Sequence, residues 1–352
     1  MDRSMELKFQ SFAPMISNTP LLEIQYKYRG NDRRIFAKAE YYNLSGSIKD
    51  RVAFHILKKA YESHAIQKGD CIAEATSGNT GIAFSAMGSY LGHKVVIYMP
   101  DWMSRERISL MESYGAKVRL VSKEEGGFLG SIQMTEELAK QGNVFLPRQF
   151  SNEDNVETHY LTTGEEIVRQ LSALGLKADG TVAGVGTGGT VMGIGKRLRE
   201  ENPSCKVYPL EPSNSPTLST GYRVGKHRIY GISDEFIPSI VKLNELDQVI
   251  SVDDGDSIRM ARMLSQQLGI GVGVSSGANF LGSVIAQERL GKDSVVATVF
   301  ADDNKKYLST DYSVPQPAKE GYLTNDIQLM NVAAYRSVSY THLRAHETPE
   351  HL

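Results

Sequence analysis

Short apolar, β-branched runs alternate with longer stretches in which apolar residues recur every three or four positions, and the alternation continues along most of the chain. In the first half, runs at residues 35–41, 72–75 and 95–99 lead into helical stretches that begin near Ser47, Asn79 and Ser104, and further runs follow at 118–121 and 144–146. In the second half the runs lie at 181–183, 206–210, 249–252 and 295–300, with helical stretches between them. Strand, helix and strand in succession return the chain to the same end of its sheet, so the pattern predicts parallel strands covered by helices. We expect an α/β fold of two subdomains, residues 1–150 and 151–311, each with a central, mostly parallel sheet flanked by helices. Residues 312–336 read as a polar extension with a helical option around 325–334, and 337–352 lack apolar periodicity and read as a non-native tail.

Four predicted strand-to-helix corners are rich in hydrogen-bond donors. Gly184-Val185-Gly186-Thr187-Gly188-Gly189-Thr190 opens a helix, so free N–H groups and two threonine hydroxyls can surround a phosphate at a helix N-terminus. No lysine follows as a P-loop requires, which disfavours a nucleoside triphosphate and points to a small phosphorylated cofactor. Thr76-Ser77-Gly78-Asn79-Thr80-Gly81 offers hydroxyls and amides suited to a carboxylate. Asn43-Leu44-Ser45-Gly46-Ser47-Ile48-Lys49-Asp50-Arg51 sets Lys49 two residues after a serine able to cap the next helix, and Val274-Ser275-Ser276-Gly277-Ala278-Asn279 starts another. Each corner alone also has a plain structural reading: a turn for close packing, an ordinary cap or a solvated lysine.

Taken in this order, the motifs resemble the cysteine synthase and cystathionine β-synthase group of pyridoxal-phosphate enzymes, which have the tryptophan-synthase-β-like fold (fold type II). The resemblance runs from residue 16 to 307 and includes residues 100–107, Gln149-Phe150-Ser151-Asn152, and Gly231-Ile232 followed by Phe236-Ile237-Pro238. It implies that Lys49 forms the Schiff base with pyridoxal 5'-phosphate and that Gly186, Thr187, Gly188, Gly189 and Thr190 hold its phosphate. Asn79 would bond the ring hydroxyl and Ser275 the pyridine nitrogen, while Thr76, Ser77, Asn79, Thr80 and Gln149 would grip the substrate carboxylate. It also implies that the earliest strand region packs with the second subdomain, that the protein is a homodimer and, by analogy alone, that serine acetyltransferase is a partner.

The residue types suit that chemistry. A Schiff-base lysine must be a neutral amine part of the time, which burial favours, and once released it can take the Cα proton and return one. A neutral serine beside the pyridine nitrogen leaves the ring a weaker electron sink than a carboxylate would. The carbanion is then best discharged by expelling a β-substituent, giving an aminoacrylate that a nucleophile attacks.

Composition narrows the partners. The 352 residues are 41% hydrophobic and 23% charged, enough to bury substantial cores, and a net charge of −2 gives no electrostatic footprint for nucleic acid. No run approaches the ~20 apolar residues of a membrane span, and residues 1–20 lack an apolar signal core, so a cytoplasmic location is expected, with Met1 or Met5 as the start. Cys71 and Cys205 are too few for a zinc site or disulfide framework and read as small buried apolar residues. His342, His346 and His351 fall in the tail, no paired metal-ligand spacing appears, and no metal is expected.

Departures from the family pattern bear on substrate choice. Leu44 and Ala75 stand where prolines are common, and Ser233-Asp234-Glu235 stands where cysteine synthases usually carry small residues. An acid at Asp234, on the β-carbon side of the cleft, would orient or deprotonate water or an alcohol, or it only solvates a loop. The leading expectation is β-replacement of the cysteine synthase type, O-acetyl-L-serine and sulfide giving cysteine and acetate. Its competitor consumes cysteine, releases hydrogen sulfide and uses Asp234-activated water to give serine, or takes homocysteine as thiol to give cystathionine. A catalytically silent cofactor- or partner-binding module is the third reading, and the intact Lys49 argues against it.

Overall fold

The computed structural model describes residues 1–222 and 224–336; the expected tail at 337–352 lies outside the described residues. Eleven strands are present among them: β1 Leu21–Tyr28, β2 Asn31–Ala39, β3 Cys71–Ala75, β4 Lys94–Pro100, β5 Lys117–Val121, β6 Val144–Phe145, β7 Gly180–Gly184, β8 Lys206–Pro212, β9 Ile250–Val252, β10 Val296–Phe300 and β11 Ile327–Tyr335. They make a seven-stranded sheet in the order β11-β1-β2-β10-β7-β8-β9 and a four-stranded sheet in the order β5-β4-β3-β6. All pairings are parallel except β11 with β1 and β1 with β2. This is the expected α/β architecture of two helix-flanked, mostly parallel sheets.

Helices follow the strands as the periodicity predicts. They are α1 Arg3–Phe12, α2 Lys49–Glu62, α3 Asn79–Leu91, α4 Arg105–Ser113, α5 Gly127–Ala139, α6 Asp154–Thr158, α7 Glu165–Ala173, α8 Gly189–Glu201, α9 Thr217–Thr220, α10 Asp254–Leu268 and α11 Val274–Leu290. In α2, Val52, Ala53, Ile56, Leu57 and Ala60 recur at helical spacing and are buried. In α3 the run from Thr80 to Gly88 is buried without a break, as befits a helix enclosed on several sides.

The first forty residues are shared between the two layers. Met5, Phe9 and Phe12 of α1 pack into the core of the smaller sheet with Ile56, Leu57, Ile72 and Phe84, whereas β1 and β2 join the larger sheet. Asp2 accepts a hydrogen bond from the Met5 N–H at 2.8 Å and so caps α1.

Three expectations are corrected. The segment around 325–334 is not helical: β11 runs antiparallel to β1, with Ile327 and Leu329 buried and Gln328 and Met330 exposed. A ten-residue helix is marginal by itself, whereas the open edge of β1 supplies a complete ladder of partners. The strand expected at 35–41 begins earlier, at Asn31, and ends at Ala39 in a 3-10 turn, Glu40–Tyr42. Cys71 is half-buried at the edge of its core, while Cys205 is buried as expected.

Candidate active site

Helices α2, α3, α8 and α11 all begin at the cleft between the two sheets, each just after a strand end or a loop that crosses it. Lys49, Thr76, Ser77, Asn79, Thr80, Gln149, Gly186, Thr187, Gly188, Thr190, Asp234 and Ser275 line one cavity there. Gly189 is set back from it, with its α-carbon packed against Asn155.

Lys49 is the first residue of α2. The N-cap residue is Ile48, which makes no side-chain cap bond, in place of the Ser47 expected from sequence; Ser47 Oγ still accepts the Lys49 N–H at 3.2 Å, and the Asp50 carboxylate accepts from the Ser45 N–H at 2.8 Å and the Ser45 hydroxyl at 2.6 Å. The Ile48 N–H donates to the Ala301 carbonyl at 2.9 Å, which fixes the helix start to the end of β10. Burial lowers the Lys49 ammonium to about 8, and the opposite charge of Asp234 works against that shift.

The loop between β3 and α3 is held by hydrogen bonds that the sequence does not announce. Thr80 Oγ1 donates to Gln149 Oε1 at 2.6 Å, Gln149 Nε2 donates to the Ala75 carbonyl at 2.9 Å, and the Gly78 N–H donates to Thr76 Oγ1 at 3.2 Å. Glu74 accepts from the Ala75 N–H at 2.9 Å and the Gln149 N–H at 3.2 Å, and burial pushes its carboxyl up to about 7.

The glycines of the 184–190 loop have no room for side chains. A Cβ on Gly186 would overlap the Gly231 carbonyl oxygen, one on Gly189 would overlap Asn155, and Gly188 has φ +90°, the left-handed region. The first amides of α8 have no acceptor inside the helix, so the loop keeps donors for an anion. Asn155 Nδ2 donates to Thr187 Oγ1 at 2.8 Å and to the Gln149 carbonyl at 2.9 Å. Thr190 Oγ1 lies 3.3 Å from His159 Nε2, and burial holds that imidazole well below its usual range and therefore neutral. Asn279 accepts from the Gly184 N–H and donates to the Val299 carbonyl, both at 2.8 Å, tying α11 to β7 and β10.

Several residues of this site were not singled out in the sequence. Asn155 and His159 sit on α6 and the π-helical turn after it, without any glycine-rich or capping signature. Arg107 is 2% exposed and lines the cavity, its guanidinium 4.8 Å from the ring centres of both Tyr230 and Tyr307. Its one sequence signal is membership of the 100–107 stretch. An outer recess lined by Trp102, Lys123, Phe128 and Lys226 shares Ser77 and Asp234 with the inner cavity.

The residues present fit pyridoxal phosphate. The glycine loop and α8 would take the phosphate, Lys49 is an amine of lowered pKa, and Asn79 Oδ1 is buried with no hydrogen-bond partner among the described residues. Ser275, 7% exposed in the first turn of α11, faces the same cavity. Away from the cavity, His55, Asp154 and Glu157 come within metal-ligand reach of one another, but the Lys59 ammonium contacts both carboxylates, at 2.5 and 2.6 Å.

Residues 12–302 match the family described as pyridoxal-phosphate dependent enzyme. The chain is 39% identical over 300 residues to a probable cysteine synthase of Bacillus subtilis (strain 168), covering 85% of this chain and 96% of the relative. It is similar to the crystal structure of a hydrogen sulfide-producing enzyme from Fusobacterium nucleatum, with 60% identity, a TM-score of 0.92, and coverage of 94% of this chain and 100% of that one. An aspartate-to-asparagine mutant of that enzyme, in complex with an α-aminoacrylate intermediate, matches with 60% identity and a TM-score of 0.91, over 93% of this chain and 99% of that one. A cysteine synthase from Entamoeba histolytica matches with 33% identity and a TM-score of 0.80, over 89% of this chain and 94% of that one.

Proposed function

The chain belongs to the family of pyridoxal-phosphate dependent enzymes, and from that premise we propose that it converts cysteine and water into serine and hydrogen sulfide. The observation that carries this reading is the place of Asp234, which lines the same cavity as Lys49 and lies near enough for its charge to act on the ammonium. The family resemblance implies small residues in that segment of cysteine synthases, where this chain carries Ser233-Asp234-Glu235. The 60% identity to a hydrogen sulfide-producing enzyme supports the same direction.

Pyridoxal phosphate, when bound, supplies the electron sink for negative charge at the substrate Cα. The protein does the rest. The Thr76–Thr80 loop and Gln149 orient the substrate carboxylate, and the Gly186–Thr190 loop anchors the phosphate. Lys49 takes the Cα proton and later returns one, a role suited to an amine whose pKa lies near 8. The C–S bond breaks with sulfur leaving as hydrosulfide, and Asp234 accepts a proton from water as the water oxygen bonds to Cβ.

The test is product analysis with cysteine, O-acetylserine plus sulfide, and cysteine plus homocysteine, on wild type and Asp234→Asn. Serine formed per sulfide released should fall by ~10² or more in the variant, as expected for loss of a general base. An unchanged ratio would falsify the water-activation role. The second reading, synthesis of cysteine from O-acetylserine, is favoured by the cysteine synthase relatives and would show as the faster reaction in the same assay.

A cytoplasmic homodimer completes the proposal, the dimer checked by light scattering of the purified protein and the location by cell fractionation. No helix among the described residues is long and apolar enough to cross a membrane. Contact with serine acetyltransferase rests on family analogy.

A further inference from the structure

We infer that Asp302 is a positioning residue of this site, fixing which atoms of the Asn79 amide meet the cofactor; the inference rests on the cofactor reading above. Asp302 follows β10 and is 0% exposed. Its Oδ2 accepts from Asn79 Nδ2 at 2.7 Å and from the Tyr307 hydroxyl at 2.5 Å, while its Oδ1 has no partner among the described residues.

Its backbone holds the other parts of the site. The Gly273 N–H donates to the Asp302 carbonyl at 3.0 Å, two residues before Ser275, and Asp302 forms an isolated antiparallel bridge with Ser47, two residues before Lys49. The α-carbon of Gly273 lies so close to the carboxylate that any Cβ there would overlap Asp302 Oδ1. One side chain and its main chain therefore join the segments that carry Lys49, Asn79 and Ser275.

A carboxylate is the suitable group because, when ionised, it only accepts; burial pushes the Asp302 carboxyl up, and the Lys306 charge together with the Asn79 and Tyr307 donors works against that shift by favouring the ionised form. With two donors converging on Oδ2, Asn79 must turn Nδ2 toward Asp302 and keep Oδ1 on the other side. Asn79 Oδ1 is buried without a partner among the described residues, which leaves it as an amide atom for the cofactor to meet. Tyr307 extends the chain to the cavity wall, where the Arg107 guanidinium lies over its ring. An asparagine at 302 has both a donor and an acceptor at its tip and would not impose one orientation on Asn79.

The test compares wild type, Asp302→Asn, Asn79→Ala and the double variant, each loaded with pyridoxal phosphate. The readouts are the position of the visible absorption band and the rate of cofactor loss. We expect Asp302→Asn to shift the band and to speed cofactor loss about tenfold, and to add little in the Asn79→Ala background, as for groups in one hydrogen-bond network. An unmoved band in Asp302→Asn, or an equal added shift in the double variant, overturns the inference. If Asp302→Asn does not fold, Tyr307→Phe replaces it. That variant removes one of the two donors, and a smaller shift of the same band supports the inference while none overturns it. A wild-type protein that takes up no pyridoxal phosphate overturns this inference together with the reading it rests on, whereas normal loading with an unmoved band overturns this inference alone.

Discussion

Thr80 Oγ1 donates to Gln149 Oε1 at 2.6 Å, joining the first turn of α3 to a loop 69 residues further along the chain. Gln149 is 3% exposed, and its amide nitrogen is committed to the Ala75 carbonyl, so its orientation is set by both ends of the β3–α3 loop. The proposed carboxylate cradle is therefore one hydrogen-bonded unit made from two parts of the sequence.

Removing the hydroxyl while keeping the shape should loosen that unit. Thr80→Val should raise the KM for the amino-acid substrate about tenfold with a smaller change in kcat, the scale expected when a buried acceptor loses its donor. Steady-state kinetics with cysteine check this; equal loss in kcat with KM unchanged would place Thr80 in the chemical step instead.

Lys49 governs both colour and rate in the proposed mechanism. Lys49→Ala should abolish the visible band of the loaded protein and its turnover, and normal turnover by the variant would sink the assignment. In wild type, only the neutral amine attacks the cofactor aldehyde, and burial brings the ammonium down to about 8. Uptake of pyridoxal phosphate by cofactor-free protein should therefore quicken as pH rises, by about tenfold per pH unit well below that value, and level off above it. Stopped-flow absorbance across pH measures the curve.

Gly188 is the sensitive position of the phosphate loop, and the cause is steric. At φ +90° its Cβ would run into the Val241 side chain, so an aspartate there would strain the loop before its charge met the phosphate. Gly188→Asp and Gly188→Asn should both weaken cofactor binding severely and lower stability by about 1–3 kcal/mol. Equilibrium dialysis and thermal melts decide the matter; full recovery with asparagine would show that charge, and not space, was limiting.

The C-terminal strand should matter for stability well away from the site. Ending the chain after residue 326 removes β11 and opens the edge of β1, along with the hydrogen bonds from the Tyr335 hydroxyl to Glu23 and from Gln170 to the Tyr335 carbonyl. The melting temperature should drop by about 5 °C or more, with a tendency to aggregate. Differential scanning calorimetry and light scattering test both, and an unchanged melt would mean that β1 is secure without its neighbour.

What the chain settles by itself is what local chemistry can dictate. Alternating strand and helix periods specify the parallel sheets, and the glycine and hydroxyl corners at 76–81 and 184–190, with Lys49 at a helix start, mark the proposed cofactor side of the cleft because backbone conformation is a short-range demand. Tertiary structure decided the remainder. Residues 327–335 carry too weak a local preference to choose their state, and only the free edge of β1 makes them a strand. Asn155, His159, Arg107 and Asp302 look like ordinary polar residues in sequence and are brought to the cleft by partners elsewhere in the chain, as in the pairing of Asp302 with Asn79 across 223 residues. Such contacts depend on which surfaces the two sheets bring face to face, and no local pattern encodes that meeting.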